Sequence, residues 1–209
     1  MIKNKFCIVG IDNDIEDYLY DNQSKYIGLI TNYKNKNYKI GKKIGSENKK
    51  EWLKIKKKHN PDVYILIDDG AQRKILTDKI FKTNVKNMLF HNSFIDRFVI
   101  KNIKKKNGIV IQKLCFISSN VKLGNGVKIN IGCQIHHDVK INDYSTIAPG
   151  AIILGSVTVG KNSYIGANAT IKQGIKIGNN ALVGAGSTVI KDVESNEVVA
   201  GNPAKKINQ

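Results

Sequence analysis

Four histidines, His59, His91, His136 and His137, are the side chains of this 209-residue chain best suited to moving a proton near neutral pH, because imidazole titrates around 6.5. Two of them stand side by side and are followed at once by a carboxylate, in Gln134-Ile135-His136-His137-Asp138-Val139-Lys140-Ile141. A histidine with an acid beside it has the parts of a general base: the imidazole takes the proton, and the carboxylate fixes its tautomer and supports the imidazolium. Neighbouring side chains on a strand point to opposite sides, so only one of the pair is expected to address a given reacting group. A zinc site would need three histidines converging on the metal, a geometry that two adjacent histidines out of four do not offer. His59 ends a lysine-rich segment and reads as solvated, and His91 reads as a loop residue. The three cysteines, Cys7, Cys115 and Cys133, are odd in number and far apart. They read as reduced, buried thiols, with neither a disulfide nor a metal expected.

The His-Asp pair sits inside a repeat. From Ile111 to Val189 an aliphatic residue occupies every sixth position, fourteen times without exception. If about a quarter of positions are aliphatic, chance gives such a run on the order of once in 10^8. Two residues before each aliphatic stands something small or β-branched, as at Val127, Cys133, Val139, Ser145 and Ala151. Directly after it come Gly124, Gly160, Gly166, Gly178 and Gly184, with Asn130 and Asn142. These types tolerate left-handed backbone angles, so this column is expected to hold the turns. His136 falls in it and reads as structural or acceptor-facing. A period of six with one large and one small inward residue fits neither an amphipathic helix nor an alternating hairpin. It predicts a solenoid with three flat faces of six residues, about four and a half coils between Ile111 and Ile190.

Ahead of the repeat the chain alternates. Phe6-Cys7-Ile8-Val9, Tyr26 to Ile30, Val63 to Ile67 and, more weakly, Met88-Leu89-Phe90 read as strands. Between them, Asp14 to Tyr20, Glu51 to Lys58 and Gln72 to Phe81 read as helices. That alternation predicts a small Rossmann-like α/β domain over residues 1–100, which would bind a ligand at the carboxyl ends of its strands. Residues 101–110, rich in lysine, read as an exposed linker, and 111–209 as the solenoid with its tail.

Charge and composition exclude several classes. The net charge of +17 comes from 34 basic and 17 acidic residues, but only Arg73 and Arg97 are arginines. Arginine is the side chain that reads bases and clamps phosphates bidentately. The scattered lysines therefore read as a generic basic surface that attracts anionic small molecules, not nucleic acid. The apolar stretch from Phe6 to Ile11 is too short for a signal-peptide core, and no stretch approaches the length of a bilayer span. A cytoplasmic protein without membrane insertion is expected.

The sixfold pattern resembles the left-handed parallel β-helix acyltransferases of the hexapeptide-repeat type, and Val198-Val199-Ala200-Gly201-Asn202-Pro203-Ala204-Lys205-Lys206-Ile207 is similar to the closing motif of their acetyltransferases. A small α/β domain in front, with a His-acid pair in the helix, resembles the nucleotide-sugar subfamily. That subfamily comprises the N-acetyltransferases of nucleotide-linked 4-amino-4,6-dideoxy sugars (bacillosamine, viosamine, perosamine) and the sialic-acid O-acetyltransferases. Left-handedness is itself part of the resemblance, since parallel crossovers ordinarily run right-handed. Of the family's Gly-rich turn after the first strand, this chain keeps only the first glycine, in Gly10-Ile11-Asp12-Asn13-Asp14.

The resemblance implies His137 as general base with Asp138 as its acidic companion, in acetyl transfer from acetyl-CoA to an amino group of a UDP-, dTDP- or GDP-linked sugar for glycan precursor and polysaccharide biosynthesis. It implies the Gly155 amide as oxyanion donor, Ala167 and Ala185 as backbone contacts to the pantetheine arm, and Lys205 near the coenzyme A phosphates. It implies acceptor contacts at Gly10, Asp12, Thr31, Asn32, Asp68 and Arg73, no metal, and a homotrimer with coenzyme A between neighbouring prisms. Sugar O-acetylation, or a non-catalytic trimeric module that only binds nucleotide sugars, are the alternatives.

Overall fold

Phe6-Cys7-Ile8-Val9 is apolar throughout, as a strand covered on both faces must be, and in the computed structural model it forms β1 (Phe6–Val9) with all four residues fully buried. The structure describes residues 4–9, 25–30, 43–89 and 93–207. The chain divides into two compact units, Met1–Lys86 and Asn87–Gln209.

In the first unit β1 pairs in parallel with β2 (Tyr26–Ile30) on one side and, on the other, with β4 (Asp62–Ile65); β3 (Lys43–Gly45) adds in parallel outside β2, giving the order β3-β2-β1-β4. Helix α1 (Lys49–His59) starts where the Asn48 side chain accepts the amide of Glu51 and stops at Asn60 in the left-handed region. It buries Trp52 and Ile55, and the indole meets Phe81 edge-on with centroids 5.0 Å apart. Helix α2 (Gly70–Ile75) is capped by Asp69, whose Oδ1 accepts the Gln72 amide, and widens into a π-helical turn over Leu76–Phe81. The anticipated helix at Asp14 to Tyr20 lies outside the described residues.

Two expectations need correction. Met88–Leu89 is a strand, but it pairs with Val110–Ile111 and so belongs to the second unit, as does Phe94–Ile95 against Phe116–Ile117. The place given to it in the first sheet is taken by Lys43–Gly45, three residues too short to signal themselves. The boundary accordingly falls at Lys86/Asn87, not near residue 100. The stretch from Lys101 is not a free linker either. Helix α3 (Arg97–Ile103) carries Val99 and Ile103 into the core of the second unit, 1% and 3% exposed, while the lysines around Ile103 face solvent.

The second unit is a three-sided parallel β-helix. Two-residue strands pair with the strand eighteen residues on, as Lys128–Ile129 with Thr146–Ile147, Gln134–Ile135 with Ile152–Ile153 and Lys140–Ile141 with Thr158–Val159, so three sheets form the three walls. The large aliphatic column and the small column two residues before it both point inward and are buried, Ile135 and Cys133 among them at 0%. All three cysteines are buried free thiols. No helix among the described residues is long and apolar enough to cross a membrane.

The turn column was misplaced by two residues. Positive φ recurs every six residues from Gly108 through Asn120, Gly126, Asp138 and Ser156 to Gly186, three residues after each aliphatic rather than directly after it. The glycines at 124, 160, 166, 178 and 184 answer a different need. A Cβ on Gly166 would stand 2.5 Å from the amide of Ala185, and one on Gly160 or Gly178 would collide with backbone of the coil above. At Gly160, Gly166 and Gly178 the backbone of the next coil leaves no room for a Cβ.

Candidate functional site

The corner between the second and third walls carries the His-Asp pair. Along this edge the coils present Ser119-Asn120, His137-Asp138, Gly155-Ser156 and Gln173-Gly174, eighteen residues apart. Asp138 takes the left-handed position with φ +61°, and its amide donates to the Ser119 carbonyl. This sharp turn throws the two side chains out of the wall, where His137 is 51% and Asp138 47% exposed. His137 Nδ1 lies 2.8 Å from Asp138 Oδ2, and Asn120 Nδ2 donates to the other carboxylate oxygen at 2.5 Å. The hydrogen bonds from His137 and then Asn120, with the positive Lys122 nearby, hold the Asp138 carboxyl below its ordinary range. An ionised carboxylate only accepts, so the Nδ1 nitrogen carries the hydrogen and neutral His137 keeps its lone pair on Nε2.

That free nitrogen faces Gly155, one coil further on. A Cβ on Gly155 would stand 2.7 Å from Nε2 and 2.6 Å from Cε1 of His137, so the ring occupies the room a side chain would need. Gly155 is buried, and its carbonyl accepts the Gly174 amide while its own amide is left without an acceptor in the coil-to-coil ladder. A proton acceptor and an unspent backbone donor thus stand together. At the corner leading from the third wall to the first, the equivalent amides are capped: Asn125 donates to Asp143, Lys161 to Asn179 and Asn179 to Ser195. The Gly155 amide has no such cap.

His136 is placed differently. Its amide extends the ladder to Ile153, and its ring meets Phe116 with centroids 6.1 Å apart, itself stacked on Phe94 at 5.4 Å. Ala167 and Ala185 share a corner with each other, where the Gly186 amide donates to the Ala167 carbonyl. That corner, between the first and second walls, is not the edge of His137 and Gly155, so one chain does not bring the two sets together. Lys205 lies exposed on the hairpin of Val198–Gly201 and Ala204–Lys206, paired with Ala200.

In the first unit, Asp68 is exposed beyond the carboxyl end of β4. Arg73 is only 1% exposed, and its Nη1 donates to the carbonyls of Ile67 and Asp68 at 2.8 and 2.7 Å, which ties down the loop between β4 and α2. Its guanidinium is engaged with backbone, as a positioning residue would be. Gly10, Asp12, Thr31 and Asn32, together with His91, lie outside the described residues. Sequence reasoning did not find Asn120. Its signal was the eighteen-residue spacing to Asp138, which the sixfold period already implied.

Two family models match the repeat: the bacterial transferase hexapeptide (six repeats) over residues 120–155 and the hexapeptide repeat of succinyl-transferase over residues 156–191. No curated protein sequence matches. Among solved structures, a mutant of GDP-perosamine N-acetyltransferase from Caulobacter crescentus in complex with CoA and GDP-perosamine superposes with a TM-score of 0.83 at 17% identity, covering 100% of this chain and 99% of that one. The acetyltransferase domain of PglB from Neisseria gonorrhoeae with acetyl coenzyme A gives 0.82 at 19%, covering 98% and 100%. WeeI from Acinetobacter baumannii AYE gives 0.72 at 24%, covering 97% and 99%. These likenesses show the fold: a left-handed β-helix of hexapeptide repeats behind a parallel-sheet unit.

Proposed function

We propose that this chain is an acetyl-CoA-dependent N-acetyltransferase that acylates the amino group of a nucleotide-linked 4-amino-4,6-dideoxy sugar. The observation that carries this reading is the corner where Nε2 of an Asp-held histidine packs over the α-carbon of Gly155, whose amide donates to no other coil. Attack on a thioester needs those two groups, a place for the proton of the nucleophile and a donor for the charge that gathers on the carbonyl oxygen. The solved structures that share the fold from end to end include enzymes described as acting on GDP-perosamine with CoA, which supports the choice of donor and acceptor class.

The residues act in sequence. The amine nitrogen bonds to the thioester carbonyl carbon, and its surplus proton passes to Nε2 of His137. Asp138, ionised and hydrogen-bonded at Nδ1, stabilises the imidazolium that results. The Gly155 amide donates to the oxygen that gains negative charge. When that charge returns to the carbonyl, the carbon–sulfur bond breaks, and the proton held on His137 is available to the departing thiolate. Asn120 positions Asp138 and takes no proton.

The remaining parts of the reading belong to the same proposal. The first unit is a Rossmann-like nucleotide-binding domain, with Gly10 and Asp12 following β1 in the sequence, Thr31 and Asn32 following β2, and Asp68 following β4. Ala167, Ala185 and Lys205 contact coenzyme A. The protein works as a cytoplasmic homotrimer in polysaccharide precursor synthesis. The test is turnover: incubation with acetyl-CoA and a panel of UDP-, dTDP- and GDP-linked 4-amino sugars, measuring free thiol. Release with one nucleotide series supports the reading, and nucleotide-sugar binding without any thiol release would instead make the chain a binding module.

A further inference from the structure

The third wall of the β-helix carries a feature that the acyl-transfer chemistry does not use. A cavity of about 490 Å³ opens on it, lined by Lys122 and Lys140 from neighbouring strands, by Lys105, Lys106 and Asn102 from the end of α3, and by Asp143. Lys122 and Lys140 are direct register partners in the parallel sheet. Adjacent strands lie about 4.8 Å apart, and like charges placed opposite each other across them repel. Asp143 is the single carboxylate in the lining, and its Oδ1 is already engaged by the Asn125 amide. Among the described residues none of the four lysines forms a salt bridge.

A solvated lysine face accounts for part of this. Lys105 and Lys106 follow the last turn of α3, where cations complement the helix dipole. It does not account for Lys122 and Lys140 in register on the flat wall beneath them. Four lysines lining one concavity, against one committed carboxylate, favour an occupant with several negative charges, and the volume falls in the range of small-molecule sites. Lys122 and Lys140 open the third-wall strands that follow directly on the corner bearing Asn120 and His137-Asp138, so the cavity lies beside that corner.

We infer that this cavity is a diphosphate subsite, in which Lys105, Lys106, Lys122 and Lys140 hold the bridged phosphates of a ligand whose reactive end lies toward His137. The identity of that ligand rests on the acyl-transfer reading: the nucleotide diphosphate of the acceptor or the diphosphate of coenzyme A. The binding itself does not. The probe is inorganic pyrophosphate, titrated into the full-length protein by calorimetry at low salt, where surface electrostatics is least screened.

The wild type should bind pyrophosphate, and Lys122→Gln/Lys140→Gln should weaken it by about tenfold or more. Lys176→Gln, on the same wall outside the cavity, should change it less than about twofold. Melting curves of the three proteins establish that each is folded. Displacement of bound pyrophosphate by a nucleoside diphosphate assigns the subsite to the acceptor, and displacement by coenzyme A assigns it to the donor. Displacement by neither, absence of pyrophosphate binding to the wild type, or equal binding by the double variant overturns the inference. Thiol release plays no part in this titration, so its outcome and that of the turnover assay are separable.

Discussion

Gly155 is the seat of His137: the imidazole ring lies where a side chain at Gly155 would be, 2.7 Å from Nε2 to the position of the missing Cβ. Gly155 is absent from the positive-φ residues, so alanine fits its backbone and the cost of Gly155→Ala falls on the ring. His137 is half exposed and able to swing outward. The variant should therefore keep a melting temperature near wild type and lose turnover by roughly 10^2-fold, the penalty of displacing a catalytic group by about 1 Å. Wild-type turnover in Gly155→Ala would mean that the ring need not sit there to act.

His137→Ala should lower turnover by roughly 10^2 to 10^4-fold, the usual contribution of a general base, with little change in coenzyme A affinity. His136→Ala serves as the neighbouring control. Its ring lies against Phe116, so the variant should retain most activity. A reversal of the two, read in steady-state kinetics, would transfer the base to His136.

Asp138 supplies a test by pH. Its carboxyl is held below the ordinary range by His137, Asn120 and Lys122, so the folded state binds that proton less readily than the unfolded chain. The stability this confers is present in full above the unfolded value of about 3.9 and is lost as pH falls through the lower folded value. In Asp138→Asn the left-handed backbone at that position is at least as well tolerated as in the wild type, an effect independent of pH. The difference in unfolding midpoint between the two proteins should therefore shift in favour of the variant as pH falls below about 4. A pH-independent difference would show that the carboxylate is not held as described. The activity of Asp138→Asn should fall less than that of His137→Ala, since the proton acceptor remains.

The repeat was legible because a solenoid writes its geometry into a fixed period, and Ile111 to Val189 obeys it at every coil. The corner residues were legible only in part. Gly124 and Asp138 both stand at corners, yet one is glycine because the next coil crowds its α-carbon and the other is left-handed while keeping a side chain. Residue type alone does not separate crowding from dihedral strain. Met88–Leu89 was assigned to the wrong sheet because two apolar residues carry no record of the partner they pair with, and here that partner, Val110–Ile111, follows α3. Arg73 reads from its position after β4 equally as a phosphate contact and as a cap on its surroundings. What the sequence could not express is that its side chain turns back onto the loop.

Arg73 therefore predicts a stability phenotype. With 1% exposure and two hydrogen bonds to the part-buried carbonyls of Ile67 and Asp68, its removal in Arg73→Met loses both, at about 1 kcal/mol each. Denaturant unfolding should show a loss of that order. An undiminished midpoint together with weakened nucleotide binding would restore the phosphate-holding role.

The last prediction concerns assembly. His137 and Gly155 stand on one edge of the β-helix and Ala167 and Ala185 on another, so a ligand touching both sets must lie between two copies of the chain. In a cyclic trimer every interface then joins the histidine edge of one protomer to the alanine edge of its neighbour. Sedimentation should give a trimeric mass, and the edge assignment has its own test. His137→Ala removes the base, and Ala185→Trp fills the opposite edge, so each variant alone should be inactive. Mixed after unfolding and refolding together in equal amounts, they form trimers in which about a quarter of the interfaces pair an intact histidine edge with an intact alanine edge. Thiol release should recover toward that fraction of wild type, given that each interface acts alone. Recovery to zero, with mixed trimers demonstrated by mass, would place both sets of contacts within one protomer and remove the reason the alanine corner was joined to the site.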